Sequence, residues 1–358
     1  MGQSVYLGMS GGVDSSVSAL LLQQAGYDVS GVNLRLFHNE DIGEEREKTC
    51  CSLADAEDAR AVAARLGIPF YVFDFSGVFR ETVIADFVSE YEAGRTPNPC
   101  VVCNRAVKFG ALLQRVRTLH GEYVATGHYA RVERDGNTGR WLLKRGVDRS
   151  KDQSYFLYML TQEQLSHTLF PLGGLHKTQV RALAEEHGLV NARKRDSQDI
   201  CFAPDGDYAA FIERTTGRPS PAGDFVDGEG RVLGRHKGFI RYTRGQHKGL
   251  GLSIEPPLYV LDKDPETGTI RLGQDGELWT RTLEAKDVNW ISVSEPDGPM
   301  RVTAKTRYSQ REAAAVAEPL PGGGLRLTFD EPQRAVTPGQ AVVLYDGETV
   351  VGGGTIEH

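Results

Sequence analysis

The chain lacks long apolar runs, and none of its hydrophobic stretches approaches the roughly 18 residues that a membrane-spanning helix needs. Its start, MGQSVYLGMSGG, has neither the basic nor the apolar region of a secretion signal. Cysteine is scarce: five in 358 residues is an odd number that does not make a secreted disulfide framework. We therefore expect a cytoplasmic protein that contacts no membrane and whose cysteines are free thiols, redox groups or metal ligands.

The chain also lacks an excess of positive charge. It has 41 Lys and Arg against 48 Asp and Glu, a net charge of −7, which is not typical of a general nucleic-acid binder. Positive charge is nevertheless concentrated in residues 131–151, 231–250 and 301–311, with net charges of +4, +6 and +4. Three such stretches on an acidic chain favour a polyanion-binding surface over solvated faces.

Apolar runs alternate with helix-period segments over the first 130 residues. This alternation predicts a parallel sheet with helices on both faces, and such sheets bind ligands at the carboxyl ends of their strands. The predicted strands are 5–9, 29–36, 70–75 and 123–126. The predicted helices are 17–25, 53–66, 77–94 and 105–120.

The pattern changes near residue 205. One more helix is predicted over 208–216, and from residue 288 only short strands separated by turn signals follow, which favours a small β-barrel. These strands are 288–293, 301–308, 313–316, 325–329, 341–345 and 350–356. The fold class is therefore α/β, with a parallel-sheet catalytic domain over 1–206, a small α+β, β-rich central domain over 207–283 and a C-terminal β-barrel over 284–358.

The string MSGGVDSS, which starts at Met9, lies between the first predicted strand and the first helix. Its adjacent glycines, Gly11 and Gly12, let backbone N–H groups turn toward an anion, and Ser15 adds a hydroxyl at the positive end of the helix. No lysine stands where a Walker-type loop needs one. This fits a loop that holds pyrophosphate as a leaving group during adenylate transfer, with Asp14 helping to hold Mg²⁺.

The same string resembles the PP-loop of the N-type ATP pyrophosphatases, which have an adenine nucleotide alpha-hydrolase-like fold. That resemblance implies ATP-dependent adenylation and leaves the nucleophile open, because some members are amidating synthetases. A glycine-rich turn with a serine cap is the structural alternative, and a binding or carrier protein without catalysis is the functional alternative.

Two cysteines indicate a sulfur nucleophile. Cys103 ends the string TPNPCVVC just before the helix predicted over 105–120, and a helix N-terminus lowers the pKa of a thiol. Cys201 follows three cations of the string RKRDSQDIC, which either stabilise a thiolate or contact tRNA. The pair fits persulfide transfer, in which one cysteine carries the sulfur and the other resolves it by disulfide formation. Two buried structural cysteines are the alternative.

The whole chain resembles the tRNA-specific 2-thiouridylase family. Nine strings carry the resemblance, in order: GMSGGVDSSVSALLLQQAGYDVSGV, AGRTPNPCVVCNRAVKFG, YVATGHYAR, LLKRGVDRSKDQSYFLY, DSQDICF, TRGQHKGLGL, KTRYSQ, AVTPGQAVVLY and GGGTIE. It implies that ATP activates O2 of the wobble uridine-34 in tRNA as an adenylate. A protein persulfide then replaces that oxygen with sulfur, and AMP and pyrophosphate are released.

The resemblance also implies roles for single residues. The ATP-binding residues would be Gly8, Met9, Ser10, Gly11, Gly12, Val13, Asp14, Ser15, Leu34 and Gly127. The catalytic residues would be Asp14, the nucleophile Cys103 and the persulfide carrier Cys201. The tRNA contacts would be Asn98, Pro99 and Cys100 at the target base, and His128, Lys151, Asp152, Gln153, Arg307, Tyr308 and Gln340 elsewhere.

The implied partners follow from the same resemblance. The β-barrel would hold the anticodon stem-loop through salt-sensitive phosphate contacts, while the target uridine leaves its stack. The expected substrates are the tRNAs for Lys, Glu and Gln. A cysteine desulfurase or a small sulfur-carrier protein would supply the sulfur.

One position departs from the pattern, because some members have Asp where this chain has Cys100. Together with Cys103 and Cys201, it offers three thiolates that could hold an oxygen-sensitive 4Fe–4S cluster with one open iron. The persulfide route and this cluster route are both kept. Cys50 and Cys51 have no family role, although the acidic segment around them could dock a basic sulfur donor.

Overall fold

A computed structural model of the protein describes residues 2–38, 53–192, 194, 200–203 and 206–358. Cys50, Cys51 and most of the basic string before Cys201 lie outside these residues, so the expectations placed on them stay predictions. No helix of the described residues is long and apolar enough to cross a membrane.

The strands, in chain order, are β1 (Ser4–Gly8), β2 (Asp28–Arg35), β3 (Phe70–Asp74), β4 (Tyr123–Ala125), β5 (Ala130–Arg134), β6 (Trp141–Arg145), β7 (Thr168–Leu169), β8 (Gly223–Val226), β9 (Val232–His236), β10 (Tyr259–Asp264), β11 (Thr269–Gly273), β12 (Trp279–Trp290), β13 (Met300–Lys305), β14 (Ala313–Leu320), β15 (Gly324–Arg334), β16 (Ala341–Asp346) and β17 (Thr349–Ile356).

The helices are α1 (Val13–Gln24), α2 (Leu53–Leu66), α3 (Ser76–Phe79, a π-helical turn Arg80–Ile84, and Ala85–Glu92), α4 (Pro99–Cys103, a π-helical stretch Asn104–Ala111, and Leu112–Thr118), α5 (Gln162–Ser166), α6 (Lys177–Glu186) and α7 (Tyr208–Thr216). Short 3-10 turns occur at Ser154–Leu157, Phe239–Arg241 and Asp275–Leu278.

A five-stranded parallel sheet with the order β3-β2-β1-β4-β7 forms the N-terminal part, as the strand–helix alternation predicts. Val5 and Leu7 of β1 are fully buried in a core that also contains Val17 of α1 and Val62 of α2. Because β1 is the central strand, the loop after it lies at the middle of the carboxyl edge, where open α/β sheets bind ligands.

The C-terminal barrel is closed by six antiparallel strands in the order β12-β15-β14-β13-β16-β17, with β17 pairing back to β12. Its interior is filled by small and branched side chains, among them Val302, Leu327, Val342 and Leu344. Each of the six predicted strands has a counterpart here, so the predicted β-barrel is confirmed. The predicted domain boundary at residue 283 falls within β12.

The hairpin β5–β6 was not predicted, and it extends the sheet of the barrel rather than the N-terminal sheet. Thr349 of β17 pairs with Lys144 of β6. From the loop of the hairpin, Arg140 donates hydrogen bonds to the carbonyl oxygens of Ile291 and Trp290 at 2.9 and 3.2 Å. The N-terminal part and the barrel are thus joined by both backbone pairing and side chains.

The central part forms a four-stranded sheet with the order β10-β11-β8-β9. Its buried Phe225 and Val260 belong to the same hydrophobic cluster as Phe79 of α3 and Tyr345 of the barrel. One continuous core therefore connects all three parts of the chain.

Three of the seven cations in the basic stretch 131–151 pair with acids of the barrel. Arg131 and Arg149 pair with Glu348 at 2.7 and 3.1 Å, and Arg145 pairs with Glu312. These cations thus hold the hairpin on the barrel, and the predicted polyanion-binding surface has fewer unpaired cations than the sequence suggests.

Candidate active site

The predicted phosphate loop connects β1 to α1, whose N-cap is Gly12. Gly11 has a φ of +73°, and a Cβ there would lie 2.3 Å from the carbonyl oxygen of Asp55 in α2, so only glycine fits. The hydroxyls of Ser15 and Ser16 donate to the carbonyl oxygen of Gly12 at 3.0 and 3.1 Å. The first N–H groups of α1 have no partner within the helix, which makes its start a suitable place for an anion.

Asp14, in the first turn of α1, is bound by two residues from distant parts of the chain. Lys177 Nζ donates to both carboxylate oxygens at 2.8 Å, and the Tyr129 hydroxyl donates to Oδ1 at 2.8 Å. Lys177 is the first residue of α6 and is only 8% exposed. The loop motif carries no lysine, so the tertiary structure supplies the cation that the motif lacks.

The start of α6 is fixed by Asp148, which follows the hairpin. Its carboxylate accepts the backbone N–H of Lys177 at 3.0 Å and both the N–H and hydroxyl of Ser150 at 3.0 and 2.6 Å. These hydrogen bonds, the one from Lys177 first, lower the pKa of Asp148. An ionised Asp148 therefore holds the backbone from which Lys177 reaches the loop.

Asn191 is a second residue that the motif does not contain. It is 4% exposed, and its Nδ2 donates to the carbonyl oxygen of Gly11 at 2.9 Å and to the hydroxyl of Ser16 at 2.8 Å. Its buried Oδ1 has no hydrogen-bond partner among the described residues. The sequence carries no local signal for this contact, since the partners are 175 and 180 positions away.

The other residues expected to bind the nucleotide lie against the same loop. A Cβ on Gly8 would be 3.6 Å from Leu34 Cδ1, so the end of β1 contacts the apolar side chain expected at the adenine. A Cβ on Gly127 would be 3.0 Å from the backbone of Asp14 and Ser15. The fold thus brings residues from three neighbouring strand ends together at one site.

The helix that carries Cys103 begins earlier than predicted, at Pro99 instead of residue 105. Asn98 is its N-cap, and its side chain accepts the backbone N–H of Val101 at 3.4 Å, while Pro99 occupies the first helical position. The prediction that Cys103 precedes a helix N-terminus is therefore wrong. Cys100 lies in the first turn and is exposed, whereas Cys103 lies at the end of this short helical segment and is 7% exposed. Because the helix-dipole effect fades within one turn, it acts on Cys100 more than on Cys103.

Cys201 is half-buried and borders the hydrophobic cluster that contains Cys103. The next residue, Phe202, is 1% exposed and packs with its ring centroid 5.1 Å from that of Phe87 and 4.9 Å from that of Phe211. This aromatic packing anchors the chain next to Cys201.

Of the three cations before Cys201, only Lys194 lies in the described part of the chain. Its Nζ is 2.5 Å from Asp55 Oδ1 and 2.6 Å from Asp58 Oδ2 in α2. Its charge is thus shared with two carboxylates rather than left for a thiolate.

A metal ion would need several His, Cys, Asp or Glu side chains grouped around it. Within the described ranges, no three His, Cys, Asp or Glu side chains are grouped so that they could hold a metal ion. Cys100, Cys103 and Cys201 are all described, so their arrangement does not fit a three-cysteine cluster site.

Two of the residues expected to contact tRNA accept hydrogen bonds from the protein backbone. Asp152 is 7% exposed and accepts the N–H groups of Gly146 and Ser154, each at 3.1 Å. Gln153 Oε1 accepts the N–H of Tyr129 at 3.0 Å, which supports the tyrosine that binds Asp14. Their neighbour Lys151 is half-buried.

His128 lies in the loop after β4, where its Nδ1 is 2.7 Å from the hydroxyl of Thr126. Its ring is 6.2 Å from that of Phe109 and 5.9 Å from that of Phe170. Burial, and to a lesser degree the charge of Lys108, lowers the pKa of His128 well below 6.5. A neutral imidazole at pH 7 offers hydrogen bonds rather than charge.

The barrel residues expected at the tRNA lie near the junction with the N-terminal part. Arg307 is half-buried and donates to the carbonyl oxygens of Arg334 and Ala335 at 3.1 and 2.7 Å. Tyr308 is 37% exposed, and its ring lies 4.5 Å from that of Phe156. Tyr308 therefore presents a partly exposed aromatic ring beside the N-terminal part.

Comparison with family models covers most of the chain. Residues 3–205 match the tRNA methyl transferase HUP domain, residues 209–274 match the tRNA methyl transferase PRC-barrel domain, and residues 280–356 match the aminomethyltransferase beta-barrel domain.

Curated relatives match over the full length. The chain is 50% identical to the tRNA-specific 2-thiouridylase MnmA of Clostridioides difficile, over 100% of this chain and 99% of the relative. It is 51% identical to the protein of the same name from Acetivibrio thermocellus, over 99% of both chains. It is 52% identical to that from Moorella thermoacetica, over 98% of both.

Proposed function

The chain belongs to the tRNA-specific 2-thiouridylase family, and we propose that it replaces O2 of the wobble uridine-34 in tRNA with sulfur in an ATP-dependent reaction. The observation that carries this proposal is an identity of 50–52% with curated members, which extends from the first strand to the end of the barrel. The HUP domain binds the ATP. The tRNAs for Lys, Glu and Gln are the proposed substrates.

In the first step, O2 of the uridine attacks the α-phosphate of ATP. An O–P bond forms, the bond to the pyrophosphate breaks, and pyrophosphate leaves. The N–H groups at the start of α1 and the ammonium group of Lys177 would stabilise the charge on the departing phosphates. The position of Lys177 supports this role, because its Nζ lies at the phosphate loop, 2.8 Å from the carboxylate oxygens of Asp14.

Mg²⁺ bound with ATP would offset further phosphate charge. Asp14 fits such an ion, because its carboxylate side chain is 29% exposed at the phosphate loop and oxygen is the ligand that Mg²⁺ prefers. The hydrogen bonds from Lys177 and Tyr129 would keep the carboxylate oriented toward the loop.

In the second step, the sulfur arrives as a persulfide on Cys201. The thiolate of Cys103 attacks the Sγ of Cys201, which forms a disulfide between the two residues and releases hydrosulfide. Hydrosulfide adds to C2 of the uridine adenylate, the C2–O2 bond breaks, and AMP leaves with the oxygen. A dithiol reductant then returns two electrons to the disulfide. The resemblance of the strings TPNPCVVC and DSQDICF to those of the family, which places the nucleophile at Cys103 and the persulfide at Cys201, supports this pairing.

The cluster route is not supported by the arrangement of the three described cysteines. Anaerobic purification followed by iron and acid-labile sulfide counts tests this preference, with tRNA thiolation measured on the same sample. Full activity from a cysteine desulfurase and cysteine with negligible iron supports the persulfide route. About four irons per chain with cluster-dependent activity would refute it.

The experiment that tests the function is ATP–pyrophosphate exchange with and without unmodified tRNA, followed by detection of 2-thiouridine. Exchange that requires tRNA, and thiouridine at position 34, is the expected result. Exchange without any RNA would instead indicate an amidating ATP pyrophosphatase, and no exchange under any condition would indicate a tRNA-binding protein without catalysis.

A further inference from the structure

A turn of the barrel holds the chain that leads to the Cys103 helix. The turn lies between β15 and β16, and the carbonyl oxygen of Pro338 accepts the backbone N–H of Thr96 at 2.9 Å. From the same turn, Gln340 Nε2 donates to the carbonyl oxygens of Thr96 and Pro97 at 2.9 and 3.1 Å. Three hydrogen bonds thus connect two residues of the N-terminal part to the barrel.

The backbones of the turn and of residues 95–96 are closely packed. Gly339 has a φ of +88°, and a Cβ there would lie 2.9 Å from the nitrogen and oxygen of Thr96 and 3.0 Å from Arg95 Cβ. Beside it, the fully buried Tyr155 donates its hydroxyl to the carbonyl oxygen of Ala341 at 2.9 Å. The contact is therefore a built junction with no space for an intervening side chain.

This junction directly precedes the helix of the proposed nucleophile. Pro97 is followed by the N-cap Asn98 and by Pro99 at the first helical position. Two prolines in three residues fix their φ angles, so the chain here is stiff. A shift of the carbonyl groups at 96 and 97 would therefore move the start of the helix, and Cys103 with it.

The Nε2 group of Gln340 already donates two hydrogen bonds within the protein. An RNA contact through Nε2 would require the release of at least one of the carbonyl oxygens of Thr96 and Pro97, and that group would lose its side-chain donor. The family resemblance places Gln340 among the tRNA contacts, whereas its hydrogen bonds are made to the segment before Cys103.

We propose that Gln340 is a positioning residue for Cys103, which it holds in place through the backbone of Thr96 and Pro97 before any RNA is bound. This inference rests on the proposed role of Cys103 as nucleophile. It means that the domain expected to bind the tRNA also sets the geometry of the reacting thiol.

The test measures the alkylation rates of Cys103 and Cys100 by peptide mass spectrometry, without tRNA or ATP. The two thiols share one helix, and the exposed Cys100 serves as the internal reference for the 7%-exposed Cys103. Gln340→Ala, and Gln340→Met with a side chain of similar length, should raise the Cys103/Cys100 rate ratio by about tenfold, as expected for losing hydrogen bonds that keep the helix start closed.

Gln333→Ala is the matched control. Gln333 lies on β15 and makes its hydrogen bonds within the barrel, to the carbonyl oxygen of Glu331 at 2.9 Å and from Gln310 at 2.8 Å. This variant removes a barrel glutamine of the same size and should leave the alkylation ratio unchanged.

Steady-state thiolation provides the second measurement. A positioning role predicts that both Gln340 variants lower kcat and leave the KM for tRNA unchanged. A raised KM with an unchanged alkylation ratio would overturn the proposal and make Gln340 an RNA contact. If Gln340→Ala unfolds, the Cys103/Cys100 alkylation ratio of Gln340→Met tests the proposal alone. An unchanged ratio in that variant would refute it. Failure of wild-type thiolation would refute the proposed function alone, because the alkylation measurement needs neither substrate.

Discussion

Lys263 offers a quantitative test of how the central part packs on the N-terminal part. This lysine lies on β10, and its Nζ is buried with no hydrogen-bond partner in the part of the chain that the structure describes. The ammonium group is 5.7 Å from the centroid of the Tyr91 ring of α3. Burial lowers the pKa of Lys263 from 10.5 to about 8, and the charge of Asp262 opposes this shift only in part.

The size of the effect follows from these two pKa values. The fall from 10.5 to about 8 corresponds to a destabilisation of about 3 kcal/mol when the buried amine is charged. Below pH 8 the Lys263 amine is protonated in both the folded and the unfolded chain, so the buried charge destabilises the folded protein by the full amount of about 3 kcal/mol. Between about pH 8 and 10.5 the unfolded chain holds a proton that the folded chain has released, so stability rises with pH and then levels off.

Lys263→Met removes the charge and keeps an apolar chain of similar length. At pH 7 we expect the free energy of unfolding to increase by up to about 3 kcal/mol, reduced by the lost contact between the ammonium and the Tyr91 ring. The advantage of the variant over wild type should shrink as the pH rises above 8.

Urea denaturation at several pH values between 7 and 10 measures this difference. The difference in the free energy of unfolding between wild type and variant is taken at each pH, because the titration of other groups cancels in this difference. Lys286→Met is the control, because Lys286 has a side chain that is 47% exposed and pairs with Glu357 at 3.6 Å. A variant that is no more stable than wild type at pH 7, with a difference that does not change with pH, would refute the reasoning.

Three further predictions concern the reaction. Lys177→Met should abolish tRNA-dependent ATP–pyrophosphate exchange and leave tRNA affinity unchanged. The substitution removes the cation at the phosphate loop and leaves Asp14 without its ion pair. Unchanged exchange would contradict the role of Lys177. Cys201→Ser should stop thiolation while exchange and tRNA binding persist, and normal thiolation would contradict the persulfide assignment. Arg307→Ala should raise the KM for tRNA, reduce its salt dependence and lower the thermal midpoint, because the carbonyl oxygen of Ala335 loses one of its two donors and keeps only the Thr337 hydroxyl; a change confined to ATP affinity would contradict the proposed role of the barrel.

Local periodicity was sufficient for most of the fold. The helices Leu53–Leu66 and Tyr208–Thr216 coincide with their predicted bounds, and five of the six barrel strands were predicted within five residues at either end. The exception is β12, which begins at Trp279, nine residues before its predicted start at residue 288. These elements are specified by the spacing of apolar residues and by glycine at their ends, which are properties of neighbouring residues. The phosphate loop was predicted for the same reason, since its glycines and serines are contiguous.

The errors occurred where a local signal was misinterpreted or depended on another domain. Asn98 and Pro99 are a cap followed by a proline at the first helical position, which is a local signal for a helix start, whereas the predicted helix begins only at residue 105. The strands β5 and β6 were missed because they are short and charged, and their stability comes from pairing with β17 and from ion pairs to Glu312 and Glu348.

The sequence by itself determined the family, the order of the elements and the residues of the phosphate loop. Only the tertiary structure decided which side chains serve that loop and which hold the Cys103 helix. Lys177 reaches Asp14 across 163 positions, and Gln340 reaches Thr96 across 244. Local patterns report which face of an element is buried, whereas such contacts depend on how whole domains pack, and no spacing of neighbouring residues specifies that.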